Sequence, residues 1–564
     1  MIRRQARRVL RAYADERRLA TLAAQSGLSP QEAARRVGAH LDRLVASRHG
    51  WAQRSLALLT RPVVARTQLV DVDVDALRRL RELGPLVFLP AHRSYADSLV
   101  LAAALREAGM PQPWRLAGEN LSFWPLGALA RRSATVFIRR DFGRDPTYHL
   151  AVRCYLADLL ARGQSVEWYP EAGRSRTGRL RKLRHGMLRI LAGAYLDSGI
   201  DDVHVVPVSI VYDLSPEIEA VTAQDGGAAK PAEGLRALIR YRRACRALGP
   251  RTARPTFAEP ISLRELTHTS ANEWGTARAL AREVARRLRE ATPATAESLL
   301  TLALASGGPE PRSAADLAEA VGQLLDYASE RQIPTCGRLP TELETVLDRM
   351  VRAGVLTRGL DGYALAPDRR HVAAYYRNTA EHWFMPRAVA ELIAFAAVNP
   401  RRALGLLAPL GAMPASEAAE RLLERELAAL ADPDRPEREP FLLAPRLLGP
   451  VFEAYHHVAV RLTRSPRPPD GADRAHLAAV PADDGPPAFW PESRSAELRD
   501  AGIAALTAEG LLALDADADA DDTARTAYAR EISHLVTRLR ELAAIDARRQ
   551  RRHQRHAGSA HVRG

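Results

Sequence analysis

The sequence predicts an α/β fold: a mostly parallel central sheet flanked by helices, with an N-terminal helical segment and a mainly helical C-terminal domain. Three observations carry this. Short apolar runs alternate with helical stretches between about 71 and 265, the order that builds a parallel sheet. Strand signals become scarce beyond about 296. Ala and Arg, both good helix formers, are abundant throughout. The expected divisions are 1–70 (helical), 71–295 (α/β domain), 296–546 (mainly helical) and 547–564 (basic, disordered tail).

Along the first 70 residues the pattern is amphipathic and helical, and Ser29-Pro30-Gln31-Glu32 starts a helix with a cap, a first-turn proline and a first-turn acid. This region reads as a small bundle packed on the main domain, or as a basic surface for anionic lipid headgroups. The run 86–89 closes at Pro90 and reads as a buried strand, followed by a helix over 94–108. Further strands are expected at 135–138, 165–169 and 203–212, with helices over 147–162 and 186–196. Residues 223–233 read as a surface loop. Residues 433–440 and 465–487 are rich in Pro and Asp and read as loops or linkers.

The net charge of +14 implies an anionic partner: nucleic acid, a phosphate-bearing substrate or an acidic membrane surface. Only 5% of residues are aromatic, which argues against a base-stacking platform for nucleic acid. Cys154, Cys245 and Cys336 lie far apart without a C-x-x-C spacing, so a reducing compartment is expected, with neither disulfides nor structural zinc. The N-terminus has no signal-peptide core and no stretch is apolar enough to span a bilayer. A lipid-directed protein of this kind would lie on the membrane surface.

Four segments carry chemistry. In His92-Arg93-Ser94-Tyr95-Ala96-Asp97, a histidine base with a carboxylate to orient it suits proton removal from a hydroxyl. Five helical steps of about 100° would leave the two side chains roughly 140° apart. They can meet only if His92 precedes the helix, as Pro90 and a capping Ser94 suggest. Ser94-x-x-Asp97 equally fits a capping box in which Asp97 serves a backbone N–H. In the segment from Pro170 to Arg179, the small residues, hydroxyls and arginines suit a phosphate cradle, or simply a polar, positive loop. Arg139-Arg140 follow a strand, where ligands bind in open α/β sheets. Val206-Pro207-Val208 is a strand whose proline suggests an edge position or the strand's first residues.

In order, these segments resemble the four sequence blocks of the glycerolphosphate acyltransferase superfamily, and within it the branch of large bacterial membrane-associated glycerol-3-phosphate acyltransferases. The likeness runs over about 85–262, includes Gly118-Glu119-Asn120-Leu121-Ser122-Phe123-Trp124-Pro125, and reappears near Tyr375-Tyr376-Arg377-Asn378. The resemblance implies His92 as general base and Asp97 as its orienting partner. It implies acceptor binding by Arg139, Arg140, Glu171, Gly173, Arg174, Ser175 and Arg176, with Pro207 shaping the acyl-donor side. Glu171 would repel a phosphate and is expected to position an arginine or the glycerol hydroxyls. The family usually has Gly where this chain has Ala172, a cost of about 1–2 kcal/mol if the position needs positive φ.

The expected function is acyl transfer from acyl-CoA or acyl-carrier protein to glycerol 3-phosphate, yielding lysophosphatidate for phospholipid biosynthesis. The alternatives are dihydroxyacetone phosphate or lysophosphatidate as acceptor, a basic nucleic-acid-binding protein, and a non-catalytic membrane scaffold. No metal and no cofactor beyond the thioester carrier is expected, and no nucleic acid. The expected location is the cytoplasmic face of the cell membrane, as a peripheral protein on an anionic surface.

Overall fold

The computed structural model describes all residues except 1, 65, 123–125, 140–144, 230–234, 306–309, 338, 340, 412, 414–416, 432–441, 465–487, 512–521 and 562–564. The chain forms two units. The first comprises Met1–Arg174, Leu180–Glu217 and Pro231–Thr292, and the second Ser175–Arg179, Ile218–Lys230 and Pro293–Gly564. The N-terminal helices, expected as a region of their own, fall within the first unit.

An eight-stranded sheet organises the first unit. Its strands are β1 (Thr67–Leu69), β2 (Leu86–Pro90), β3 (Trp114–Gly118), β4 (Thr135–Ile138), β5 (Val166–Glu167), β6 (His204–Tyr212), β7 (Arg251–Phe257) and β8 (Ile261–Ser262). They lie in the order β1-β7-β6-β2-β5-β3-β4, with β8 also on β6. From β6 to β4 every pairing is parallel, while β7 and β8 run antiparallel to β6. Strands β1, β3, β7 and β8 are additions to the four read from the sequence.

Alternation along β2 sets the layers. Val87 and Leu89 enter one core with Leu41, Tyr155, Leu191 and Val284, drawn from helices Pro30–Leu44, Pro146–Ala161, His185–Ser198 and Glu273–Glu290. Leu86 and Phe88 enter the opposite core with Leu77, Val100 and Leu105. A strand turns successive side chains to opposite faces. A run apolar at every position therefore needs helices on both sides.

Pro207 corrects the sequence expectation of an edge or strand-start position. It is an inner residue of β6, which is internal to the sheet and pairs Pro207 with Leu89 of β2. Its carbonyl accepts from Ala258 N–H at 2.9 Å, in the gap between β7 and β8. A strand residue's N–H and C=O face the same neighbour. The missing donor thus falls where the neighbouring chain leaves the ladder.

The second unit is mainly helical. Its longest-buried element is the helix Arg370–Ala396, which continues through Pro386. A short hairpin, Leu356–Gly359 with Gly362–Leu365, precedes it. The expected loop at 223–233 is in part the end of the helix Ile218–Asp225, and 230–233 lie outside the described residues. So do 433–440 and 465–487. Of the tail expected to be disordered, residues 547–561 instead prolong the helix Asp522–His561, whose Ala- and Arg-rich sequence favours helix, and 562–564 lie outside the described residues. Among the described residues no helix is long and apolar enough to cross a membrane.

Candidate active site

His92 stands two residues beyond the carboxyl end of β2, before the helix Asp97–Glu107 begins. That placement lets the turn fold back, and His92 Nδ1 lies 3.1 Å from Asp97 Oδ2. Asp97 is fully buried, while the imidazole keeps 21% exposure, enough to meet a substrate. The same Oδ2 accepts the N–H groups of Arg93 and Ser94, each at 2.8 Å, and Oδ1 accepts the Tyr212 hydroxyl at 2.8 Å. An oxygen acceptor facing Nδ1 suits the tautomer with the proton on Nδ1, which leaves Nε2 able to accept one.

The capping box is half formed: Asp97 Oδ2 accepts the Ser94 N–H, as that reading has it, but the helix is capped at Ala96 without a side-chain hydrogen bond and the Ser94 hydroxyl does not return one to Asp97. Ser94 Oγ instead donates to Glu217 Oε1 at 2.5 Å, an oxygen that also accepts from Tyr95 N–H. Arg174 pairs with the other Glu217 oxygen and donates to the Tyr95 hydroxyl at 2.9 Å. Its guanidinium also lies 3.7 Å from the Tyr95 ring centroid. One buried acid thus joins the histidine turn to the arginine loop. Burial raises the Glu217 carboxyl, against the Arg174 charge that lowers it.

Glu171 holds the other side of His92. One oxygen accepts His92 N–H at 2.7 Å and the other Arg181 N–H at 2.8 Å. Burial pushes this carboxyl up to about 7 despite both bonds. The acid ties down backbone, which explains an anion so near an expected phosphate site. Ala172 beside it has φ 53, the strained conformation that its replacement of Gly suggested. At Gly173 a Cβ would come within 2.5 Å of Arg181 Nη1, the far end of a flexible side chain that would have to shift aside.

One aromatic residue completes the histidine's surroundings. The Tyr169 ring lies 4.1 Å from the His92 ring at 31°. Its hydroxyl donates to Ser98 Oγ at 3.0 Å, and Ser98 in turn donates to Glu167, the partner of Arg115. Tyr169, Tyr212, Tyr95 and Glu217 escaped sequence reasoning. Tyr169 and Tyr212 carried one usable signal, their positions at the carboxyl ends of parallel strands.

The remaining candidates separate. Arg139 follows β4, three strands from β2 and so roughly 14 Å along the sheet. Its guanidinium donates to Asp145 at 3.2 Å and lies over the Tyr148 ring. Arg140 lies outside the described residues, as do 123–125. Ser175 and Arg176 belong to the second unit. Ser175 is buried with no partner for its hydroxyl among the described residues, and Arg176 is exposed. Pro207 is two positions from the β2 terminus in register. Burial pushes the Cys154 thiol up to about 12, the opposite of a nucleophile's environment. Among the described residues no group of three or more His, Cys, Asp or Glu is placed to hold a metal.

A histidine facing a buried carboxylate, at the carboxyl ends of parallel strands, is an arrangement suited to taking a proton from a hydroxyl in group transfer. The sequence model of the Acyltransferase family matches residues 71–211, and that of the glycerol-3-phosphate acyltransferase C-terminal region matches 223–409. Proteins from Mycobacterium bovis and Mycobacterium tuberculosis, each named "Putative acyltransferase plsB1", are 32% identical over 492 residues, covering 79% of this chain and 78% of theirs. A "Glycerol-3-phosphate acyltransferase" of Histophilus somni is 32% identical over 349 residues, 57% of this chain and 42% of that protein. The chain belongs to the glycerol-3-phosphate acyltransferase family and is an acyltransferase.

Proposed function

We propose that the enzyme transfers a fatty acyl group from acyl-CoA or acyl-carrier protein to the sn-1 hydroxyl of glycerol 3-phosphate, releasing lysophosphatidate and the free thiol. The observation that carries this reading is the His92–Asp97 pair, with Arg174 tied through Glu217 to the same turn. His92 Nε2 takes the hydroxyl proton as the oxygen attacks the thioester carbonyl. The tetrahedral intermediate then collapses, the C–S bond breaks, and His92 returns the proton to the departing sulfur. Asp97 holds the imidazole and balances its transient charge. Arg174 binds the acceptor phosphate and restrains the hydroxyl near the base.

The reading needs no metal or resident cofactor, because a thioester is already activated and the base is a side chain. It sets the enzyme at the cytoplasmic face of the membrane as a peripheral protein, where soluble substrates and an amphiphilic product meet. Labelled acyl-CoA offered with glycerol 3-phosphate, dihydroxyacetone phosphate or lysophosphatidate tests it. Transfer to glycerol 3-phosphate is expected, reduced about 10²–10⁴-fold or more in His92→Ala. Undiminished transfer in that variant would overturn the mechanism, and transfer to lysophosphatidate alone would overturn the acceptor.

A further inference from the structure

The helix Gly50–Val64 of the first unit turns large apolar side chains outward. Trp51 is 54% exposed, Leu58 67% and Leu59 54%. Trp51 and Leu58 are seven residues apart and share a helix face, with Leu59 next to them. Arg54 and Arg61 repeat the same spacing about 60° to one side, and both are exposed. A soluble face would scatter such residues singly, not collect them in one stripe.

The helix Leu235–Leu248 touches this one within the same unit. It exposes Ile239 at 43% beside the exposed Arg240. The two helix sequences, GWAQRSLALLTRPVV and LRALIRYRRACRAL, hold seven arginines and no acidic residue. An apolar stripe with Trp, on helices whose charged residues are all arginines, is complementary to an anionic bilayer, where indole sits at headgroup depth and arginine meets phosphate. The inner face of the second helix reaches the catalytic turn. Its buried Tyr241 has its hydroxyl 3.4 Å from Ser94 Oγ and its ring in edge contact with Tyr95. A single helix therefore joins the exposed apolar face to the segment that carries His92.

We propose that the face formed by Gly50–Val64 and Leu235–Leu248 is the membrane-docking surface of this enzyme. Trp51, Leu58, Leu59 and Ile239 enter the acyl boundary of an anionic leaflet, and the arginines hold lipid phosphates. Docking by this face brings the Ser94–Tyr95 turn to the lipid, where the amphiphilic product of the reaction proposed above would leave. The biological meaning rests on that reading, but the surface itself is testable without it.

Full-length chain is floated with vesicles of phosphatidylcholine and phosphatidylglycerol in equal parts, and with phosphatidylcholine alone. Binding to the mixed vesicles is expected, weakened by salt and by omission of the anionic lipid. The Leu58→Glu/Leu59→Glu variant is expected to lose about tenfold or more of that binding. The fully exposed Leu360→Glu, on the second unit, serves as a control that binds as wild type. Circular dichroism checks folding, and Arg54→Glu/Arg61→Glu gives a second route that leaves every apolar residue in place. Equal flotation of the Leu58/Leu59 variant and wild type overturns the proposal. So does a wild-type dimer that the variant dissolves, since a second copy would then cover the face. Transfer to glycerol 3-phosphate from a short-chain, water-soluble acyl-CoA separates the two readings. If it survives in the docking variant while flotation is unchanged, the surface is wrong and the function stands. If wild type transfers nothing while flotation depends on Leu58 and Leu59, the function is wrong and the surface stands.

Discussion

At the scale of single residues, the site rests on carboxylates that bind backbone. Asp97 accepts two consecutive N–H groups as well as facing the imidazole, and Glu171 fixes the N–H of His92 itself. Glu171 sits near about 7 when folded, above the usual range near 4.5. Between those values the folded chain holds a proton that the unfolded chain has lost, so this group's effect on stability worsens as pH rises, by up to about 3 kcal/mol. Glu171→Gln should remove that dependence. Urea midpoints at pH 5 and pH 8 should diverge more for wild type than for the variant, and parallel shifts would count against it. Ala172 offers a second measurement. Relieving its positive φ should return about 1–2 kcal/mol, less about 0.5–1 kcal/mol for glycine's extra unfolded-state freedom. Ala172→Gly is therefore expected to raise stability by about 0.5–1 kcal/mol in a denaturant titration, provided its effect is transmitted to global unfolding.

At the scale of elements, Ser175–Arg179, the part of the third sequence block that belongs to the second unit, is held by contacts within that unit. Arg179 makes a bidentate pair with Glu381 of the helix Arg370–Ala396, both buried. Asn378 Nδ2 donates to Thr177 carbonyl at 2.9 Å. Gly178 has φ 88, and a Cβ there would meet Tyr375 carbonyl oxygen at 2.1 Å. The weak likeness near Tyr375-Tyr376-Arg377-Asn378 thus marks the residues that grip the loop. Glu381→Ala leaves a buried guanidinium without its main partner and should cost about 3–5 kcal/mol. In a variant that still folds, KM for glycerol 3-phosphate should rise more than KM for acyl-CoA. An equal rise in both would mean that the loop is not on the acceptor side.

For the whole molecule, the chain passes repeatedly between its units, since Ser175–Arg179 and Ile218–Lys230 belong with Pro293–Gly564. Cutting after residue 292 would strand Arg179, Thr177 and Asp225 away from Glu381 and Glu497. A fragment of residues 1–292 is expected to be inactive and prone to aggregation, and co-expression with 293–564 to restore transfer. An active, monomeric 1–292 fragment by itself would show that the loop needs no support from the second unit.

The α/β class, the parallel strands and the histidine's position before its helix were all legible in the sequence. Each follows from local rules: apolar runs spaced by helices, a proline ending a strand, and side-chain directions fixed by helical geometry. The Ala172 strain was legible too, because a left-handed backbone position penalises any Cβ. Tertiary structure alone decided what the polar residues do. Ser94 fits a cap yet bonds Glu217, more than a hundred residues later in the chain. Glu171, expected to position an arginine or the glycerol hydroxyls, holds the backbone of His92 and Arg181. Pro207 looks like an edge residue yet occupies an inner strand, because a neighbouring strand breaks beside it. Local sequence sets where a side chain starts, but which donor meets a buried acid depends on segments far apart in the chain that only the folded sheet brings together.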